Sequence, residues 1–110
     1  MLGDEIKKGT TAFLILALLE AQPRHGYELS KQLEQRSGGV VRVHAASLYP
    51  LLYRLEQDGH VEGRWVERAG HRRRRYYRIT AAGRRQLRAE RREWAGFVRA
   101  IGQVAGVEYA

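Results

Sequence analysis

The apolar positions change rhythm several times along the chain, and each change marks a predicted element. Ala12 to Leu19 is apolar on every side, and a helix of that character is a buried one. Thr10 or Thr11 is available as its cap. A first helix is therefore predicted over about Thr11 to Glu20, at the centre of the core. Gln22-Pro23-Arg24-His25-Gly26 breaks it. Tyr27, Leu29, Ser30 and Leu33 then recur at helical spacing among polar residues, and Ser37-Gly38-Gly39 closes this second helix. Val40, Val41 and Val43 alternate loosely with Arg42, which predicts a short strand or an extended linker.

Leu48, Leu51, Leu52 and Leu55 fall at i, i+3, i+4 and i+7, the apolar stripe of a third helix over Ser47 to Asp58. Proline fits a helix best in its first turn, so Pro50 predicts a start near Ala46 or Ser47. The opposite face shows Ser47, Tyr49, Tyr53, Arg54 and Gln57, and Gly59 stops the helix. Val61 to Arg68 and Arg73 to Ile79 are rich in β-branched and aromatic residues and read as two strands around a turn at Ala69-Gly70-His71.

Thr80 is a good cap for a last helix, about Ala81 to Val104. There Leu87, Trp94, Val98, Ile101 and Ala105 are spaced 7, 4, 3 and 4 apart, with Phe97 and Val104 beside them. That is a narrow heptad-like seam. Three short helices and a hairpin already close a unit, so the seam is expected to pack on a second copy of the chain. The alternative is a fourth helix folded back on its own domain.

Charge changes this picture. Residues 1–60 hold 7 Lys/Arg and 7 Asp/Glu, while residues 61–110 hold 13 and 5. The whole excess of +8 therefore lies in the second half. Such asymmetry points to a polyanionic partner. Of the 20 basic residues 17 are Arg; a GC-rich coding bias accounts for that preference but not for the clustering. Arg72 to Arg75 sit next to the turn between the two strands.

Other chemistry is thinly represented. There is no cysteine, which excludes disulfides and thiolate metal sites. His25, His44, His60 and His71 lack metal-ligand spacing, and no nucleophile elbow or phosphate-cradling glycine loop occurs. Neither an enzyme nor a cofactor is expected. The longest apolar run has eight residues, against about 20 for a membrane span. Asp4 and Glu5 precede it where a signal peptide would be basic. A cytoplasmic, nucleoid-associated location is expected, with no membrane partner.

Helix–helix–helix–strand–strand is the order of a winged helix-turn-helix: mainly α with a small β-hairpin (α+β). A helix can enter the major groove of DNA while a hairpin reaches the neighbouring backbone. The division expected is a DNA-binding domain over 1–80 and a dimerisation helix over 81–110.

Three stretches carry a resemblance: His25-Gly26-Tyr27-Glu28-Leu29; Ser47-Leu48-Tyr49-Pro50-Leu51-Leu52-Tyr53-Arg54-Leu55-Glu56 with Asp58-Gly59; and Arg74-Arg75-Tyr76-Tyr77-Arg78-Ile79-Thr80 with Gly83, followed by Trp94. In these the sequence resembles the PadR-type transcriptional regulators, in particular the short subfamily with a single C-terminal helix. The resemblance implies a homodimeric DNA-binding regulator, usually a repressor, on an inverted-repeat operator. By that likeness Ser47, Tyr49 and Pro50 lie where the recognition helix enters the groove, the hairpin arginines lie on the wing, and Tyr27 matches the start of the positioning helix. Together with the outward helix face and the hairpin tip, the expected double-stranded DNA contacts are Tyr27, His44, Ser47, Tyr49, Pro50, Tyr53, Arg54, His71, Arg72, Arg73, Arg74, Arg75 and Tyr76. Self-association falls to Leu87, Trp94, Phe97, Val98, Ile101 and Val104. Some relatives bind small aromatic compounds near the dimer interface, which makes Trp94 the candidate effector contact. Arg84, Arg85, Arg88, Arg91 and Arg92 make the start of this helix unusually basic. The alternative function is a winged-helix nucleic-acid or protein interaction module with no regulatory role.

Overall fold

The structure is a computed structural model and describes residues 4–70 and 72–108. Seven elements follow in order: α1 (Asp4–Ala21), β1 (Arg24–His25), α2 (Gly26–Arg36), α3 (Ala45–Gln57), β2 (Val61–Val66), β3 (Arg74–Ile79) and α4 (Ala81–Ala105). Four helices and one small sheet make an α+β winged helix-turn-helix, as the sequence predicts.

α1 lies at the centre. Ile15, Leu16, Leu18 and Leu19 are buried, and Ala12, Phe13, Leu14 and Ala17 pack half-buried around them. A helix covered on all sides needs no polar face. Its start differs from the expectation: Thr10 and Thr11 lie inside the helix, not at its cap. α2 and α3 contribute Leu29 and Leu33, and Leu48, Leu52 and Leu55. Leu51 is only half-buried at the edge of this core. Val40 to Val43 form no strand; they are an extended linker, held where the Ser30 hydroxyl donates to the Val43 carbonyl at 2.9 Å.

α3 begins at Ala45, so Pro50 is its sixth residue and not part of the first turn as predicted. The helix gives up one internal bond, to the Ala46 carbonyl. Ala46 is exposed, so water can replace the missing amide. The end of α3 obeys the sequence closely. Gly59 adopts φ +77°, and the amides of Gly59 and His60 donate to the carbonyls of Glu56 and Leu55 at 3.0 and 2.9 Å. This left-handed glycine turn satisfies the last carbonyls of the helix.

The sheet has three antiparallel strands in the order β1-β3-β2. β1 was not predicted. It is two residues long, Arg24 facing Tyr77 and His25 facing Tyr76, too short for a period-two pattern to register. Arg24 is buried because its guanidinium donates to the Leu18 carbonyl at 3.1 Å, near the end of α1.

Thr80 joins the sheet to α4. Its hydroxyl donates to the Gly59 carbonyl at 2.6 Å and accepts the Gly83 amide at 3.0 Å. A side chain on Gly83 would collide with the His60 carbonyl. Those contacts set α4 directly over the end of α3. From there α4 runs about 37 Å and its first half packs along α1. Leu87, expected on the self-association seam, is instead wholly buried in the chain's own core. It cannot meet a partner. Arg91 forms a two-pronged ion pair with Glu20 at 2.8 and 3.0 Å.

Candidate nucleic-acid interface

α3 divides cleanly into two sides. Leu48, Leu52 and Leu55 point into the core, which turns Ser47, Tyr49, Pro50, Tyr53 and Arg54 outward. His44 is exposed at the N-cap position, and its side chain makes no capping bond. The outward face therefore carries hydroxyls, an imidazole and a guanidinium. These groups can donate to and accept from base edges. Its acid, Glu56, is neutralised by Arg75 at 2.8 Å. Tyr49 is not a free arm. Its hydroxyl and ring lie so close to Gly26 that a Cβ there would come within 2.6 Å of the oxygen. Glycine at the start of α2 thus lets the Tyr49 ring lie against the backbone. Tyr53 accepts from Gln57 at 3.0 Å. Tyr27, at 69% exposure, projects from the first turn of α2.

The arginine run is not uniform. Arg72 and Arg73 are exposed in the turn between β2 and β3, and Arg74 and Arg75 belong to β3. Successive strand residues face opposite ways. Arg75 therefore points toward α3, pairs with Glu56, and lies 5.5 Å from the Trp65 ring and 5.8 Å from Tyr77. Arg74 points the other way, 3.0 Å from His25 Nε2. Arg73 lies 4.8 Å over Trp65, a cation–π contact that holds the guanidinium at the wing surface. Tyr76 is half-buried against His25. His71 falls outside the described residues.

Sequence reasoning assigned no role to His25, and the structure makes it the joint of the site. Its Nδ1 accepts the Glu28 amide at 3.4 Å and so caps α2. The neutral ring then carries its proton on Nε2, 3.2 Å from the Glu28 carboxylate. Tyr76 packs edge-on at 5.2 Å. Burial pushes the imidazole pKa below its ordinary value, Glu28 opposes this, and the Arg74 charge adds to it. Trp65 was also missed as a site residue. It is 52% exposed and sits directly opposite Arg75 in the strand register. Strand parity alone could have separated Arg75 and Trp65 from Arg74 and Tyr76.

On α4, Trp94 is half-buried. It stacks on Phe13 with ring centres 6.0 Å apart and meets Phe97 edge-on at 5.8 Å. Val98 is half-buried, and Phe97, Ile101 and Val104 are 48%, 42% and 91% exposed. Among the described residues no helix is long and apolar enough to cross a membrane.

This arrangement has known counterparts. A family model described as the transcriptional regulator PadR-like family matches residues 15–89. A transcriptional regulator from Clostridium thermocellum superimposes with a TM-score of 0.82 at 27% identity, over 94% of this chain and 97% of that one. A PadR family transcriptional regulator from Eggerthella lenta gives 0.78 at 33% identity, over 94% and 88%. A PadR-like regulator from Bacillus cereus gives 0.80 at 28%, over 96% and 100%. A protein of Lysinibacillus sphaericus is 32% identical over 95 residues, 86% of this chain and 87% of its own length. With its winged helix-turn-helix fold and matching family model, the chain belongs to the PadR-like family of transcriptional regulators, which bind DNA and are not enzymes.

Proposed function

We propose that two copies of the chain associate through the distal half of α4 and act as a repressor on an inverted repeat in duplex DNA, in the cytoplasm. One observation carries the association: the row Phe97, Ile101 and Val104 continues the buried side of α4 into solvent. An apolar row of that kind on a projecting helix is stabilised by a second copy. Two-fold symmetry then sets the two reading helices against half-sites about 34–36 Å apart or a multiple of that. Ser47, Tyr49, Pro50 and Tyr53 read base edges, together with Arg54 and His44. Arg72, Arg73 and His71 meet phosphates, and Arg74, Arg75, Tyr76 and Tyr27 support or extend these contacts.

Release by a small aromatic ligand at Trp94 completes the reading. Phe13 already covers one face of that indole, so such a ligand takes the other face or displaces Phe13.

The test is selection of bound nucleic acid from a random pool of DNA duplexes and single-stranded RNA, repeated with candidate aromatic compounds. Enrichment of an inverted repeat, with elution by a compound that fails on Trp94→Ala, is the expected result. Recovery of single-stranded RNA, or of no shared motif, would mean an interaction module without operator specificity. Affinity should fall on the order of 10³–10⁵ between 50 and 200 mM salt if roughly 6–10 phosphates are contacted.

A further inference from the structure

The two faces of the wing sheet differ in kind. Val61, Gly63 and Trp65 stand opposite Ile79, Tyr77 and Arg75. That face is turned to the core and α3, since Val61, Tyr77 and Ile79 are buried and Arg75 reaches Glu56. Glu62, Arg64 and Val66 stand opposite Arg78, Tyr76 and Arg74 on the other face, which looks away from the reading helix. A groove of about 640 Å³ runs along it, within the size range of small-molecule sites, roughly 300–1,000 Å³.

Its floor is the half-buried ring of Tyr76, steadied from beneath by His25. The Gln22-Pro23 turn and Glu28 form one wall, and Arg64 and Arg68 stand on the other. The acids lining it are already matched: Glu62 binds Arg78 at 3.0 Å, and Glu28 lies 3.9 Å from Arg24 and 3.2 Å from His25. Arg64 and Arg68 are exposed and, among the described residues, have no carboxylate partner. Arg68 instead lies 5.9 Å over the Tyr76 ring. The groove thus offers an aromatic floor with two unneutralised guanidinium groups at its rim.

We infer that this groove is a binding site for a small planar molecule bearing a carboxylate, sulfonate or phosphate. The ring lies on Tyr76 in place of the Arg68 guanidinium, which moves to the rim, and the anionic group takes charge-assisted hydrogen bonds from Arg64 and Arg68. A DNA backbone alone would use the arginines and the Tyr76 hydroxyl but leave the ring face of Tyr76 unused. The groove also opens on the sheet face opposite the one that packs toward α3. It is separate from Trp94, which lies on α4 against α1.

The test uses the full chain and anilinonaphthalene sulfonate, a flat arene with one sulfonate, followed by its fluorescence. The variants are Arg64→Gln combined with Arg68→Gln, and Trp94→Ala, each checked for native circular dichroism. Both arginines are exposed and outside the core, so their replacement leaves the fold in place. The double variant is expected to bind the dye about tenfold or more weakly, a larger loss than Trp94→Ala produces. The uncharged analogue phenylnaphthylamine should bind parent and double variant alike. The inference is overturned if the double variant keeps the dye within about threefold of the parent. It is equally overturned if Trp94→Ala loses as much as the double variant, which places the dye on α4.

Discussion

The two halves of α4 share one helix and one heptad-like spacing and meet opposite fates. In the first half Leu87 is wholly buried in its own chain, and Arg91 is tied to Glu20. In the second half Phe97, Ile101 and Val104 keep from 42% to 91% of their surface. The arginine run divides the same way within four residues. Arg75 is paired with Glu56 and Arg74 lies against His25 at the sheet, whereas Arg72 and Arg73 stand at the surface of the turn. Spacing tells which side of an element is apolar or charged. It does not tell whether the partner is the same chain or another molecule. That depends on what else the fold brings alongside: here α1 beside the start of α4, and α3 beside Arg75.

The largest expected effect tests the buried half. Leu87→Ala should cost about 2–5 kcal/mol of folding stability, read from urea melts. The loss should be the same at every protein concentration. A cost that grows on dilution would return Leu87 to the interface and undo the contrast. Gly83→Ala acts at the same junction. A methyl group there must push away the His60 carbonyl, so about 1–3 kcal/mol is expected. Ile101→Glu, by contrast, should leave the fold of a single chain within about 0.5 kcal/mol. Its effect should be on mass: sedimentation at high concentration should show single chains where the parent shows pairs.

The arginine contrast is sharpened by a matched pair. Arg73→Ala should weaken binding to all duplexes and lower the salt slope by about 0.9 for each phosphate it no longer neutralises, with no change in the melting midpoint. Arg75→Ala should do the reverse on stability, at about 1 kcal/mol, since Glu56 and Arg75 keep roughly a quarter of their side-chain surface. Equal behaviour of the two variants in both measurements would show that the run acts as one uniform charge.

Much of this architecture was legible because its signals are local. The spacing of Leu48, Leu52 and Leu55, the turn at Gly59, and Thr80 with Gly83 fix α3 and the start of α4 without reference to the rest of the chain. The β-branched and aromatic residues of Val61 to Arg68 and Arg73 to Ile79 marked the hairpin, although its strands stop at Val66 and begin at Arg74. What escaped depends on distant contacts. β1 is two residues held by β3, so it has no period of its own. The wing contacts of His25 arise only when β3 brings Tyr76 and Arg74, the latter 49 residues away, to it. Pro50 deeper in α3 than expected is permitted by the exposure of Ala46, which spacing does not reveal. Leu87 satisfied the seam pattern as well as Ile101 does; only α1 distinguishes them.

His25 joins the two regions, because it caps α2 with one nitrogen and lies against the wing arginine with the other. Its titration gives the smallest predicted effect. Desolvation holds the folded imidazole below its ordinary 6.5, with Glu28 opposing and Arg74 assisting. Between that lowered value and about 6.5 the unfolded chain binds a proton that the folded chain refuses. Stability therefore rises with pH across this window, is complete above it, and declines as the pH falls below about 6.5. A single proton limits the slope to about 1.4 kcal/mol per pH unit. Glu20, whose carboxyl is lowered chiefly by its bond to Arg91, titrates below 4.5 and does not contribute in this window. Urea melts at about pH 5.5 and about pH 7.5 should show a larger loss for the parent than for His25→Asn, which keeps a capping side chain without the titration. An equal loss in both proteins would assign the acid sensitivity to other groups and leave His25 as a neutral strut between wing and helix.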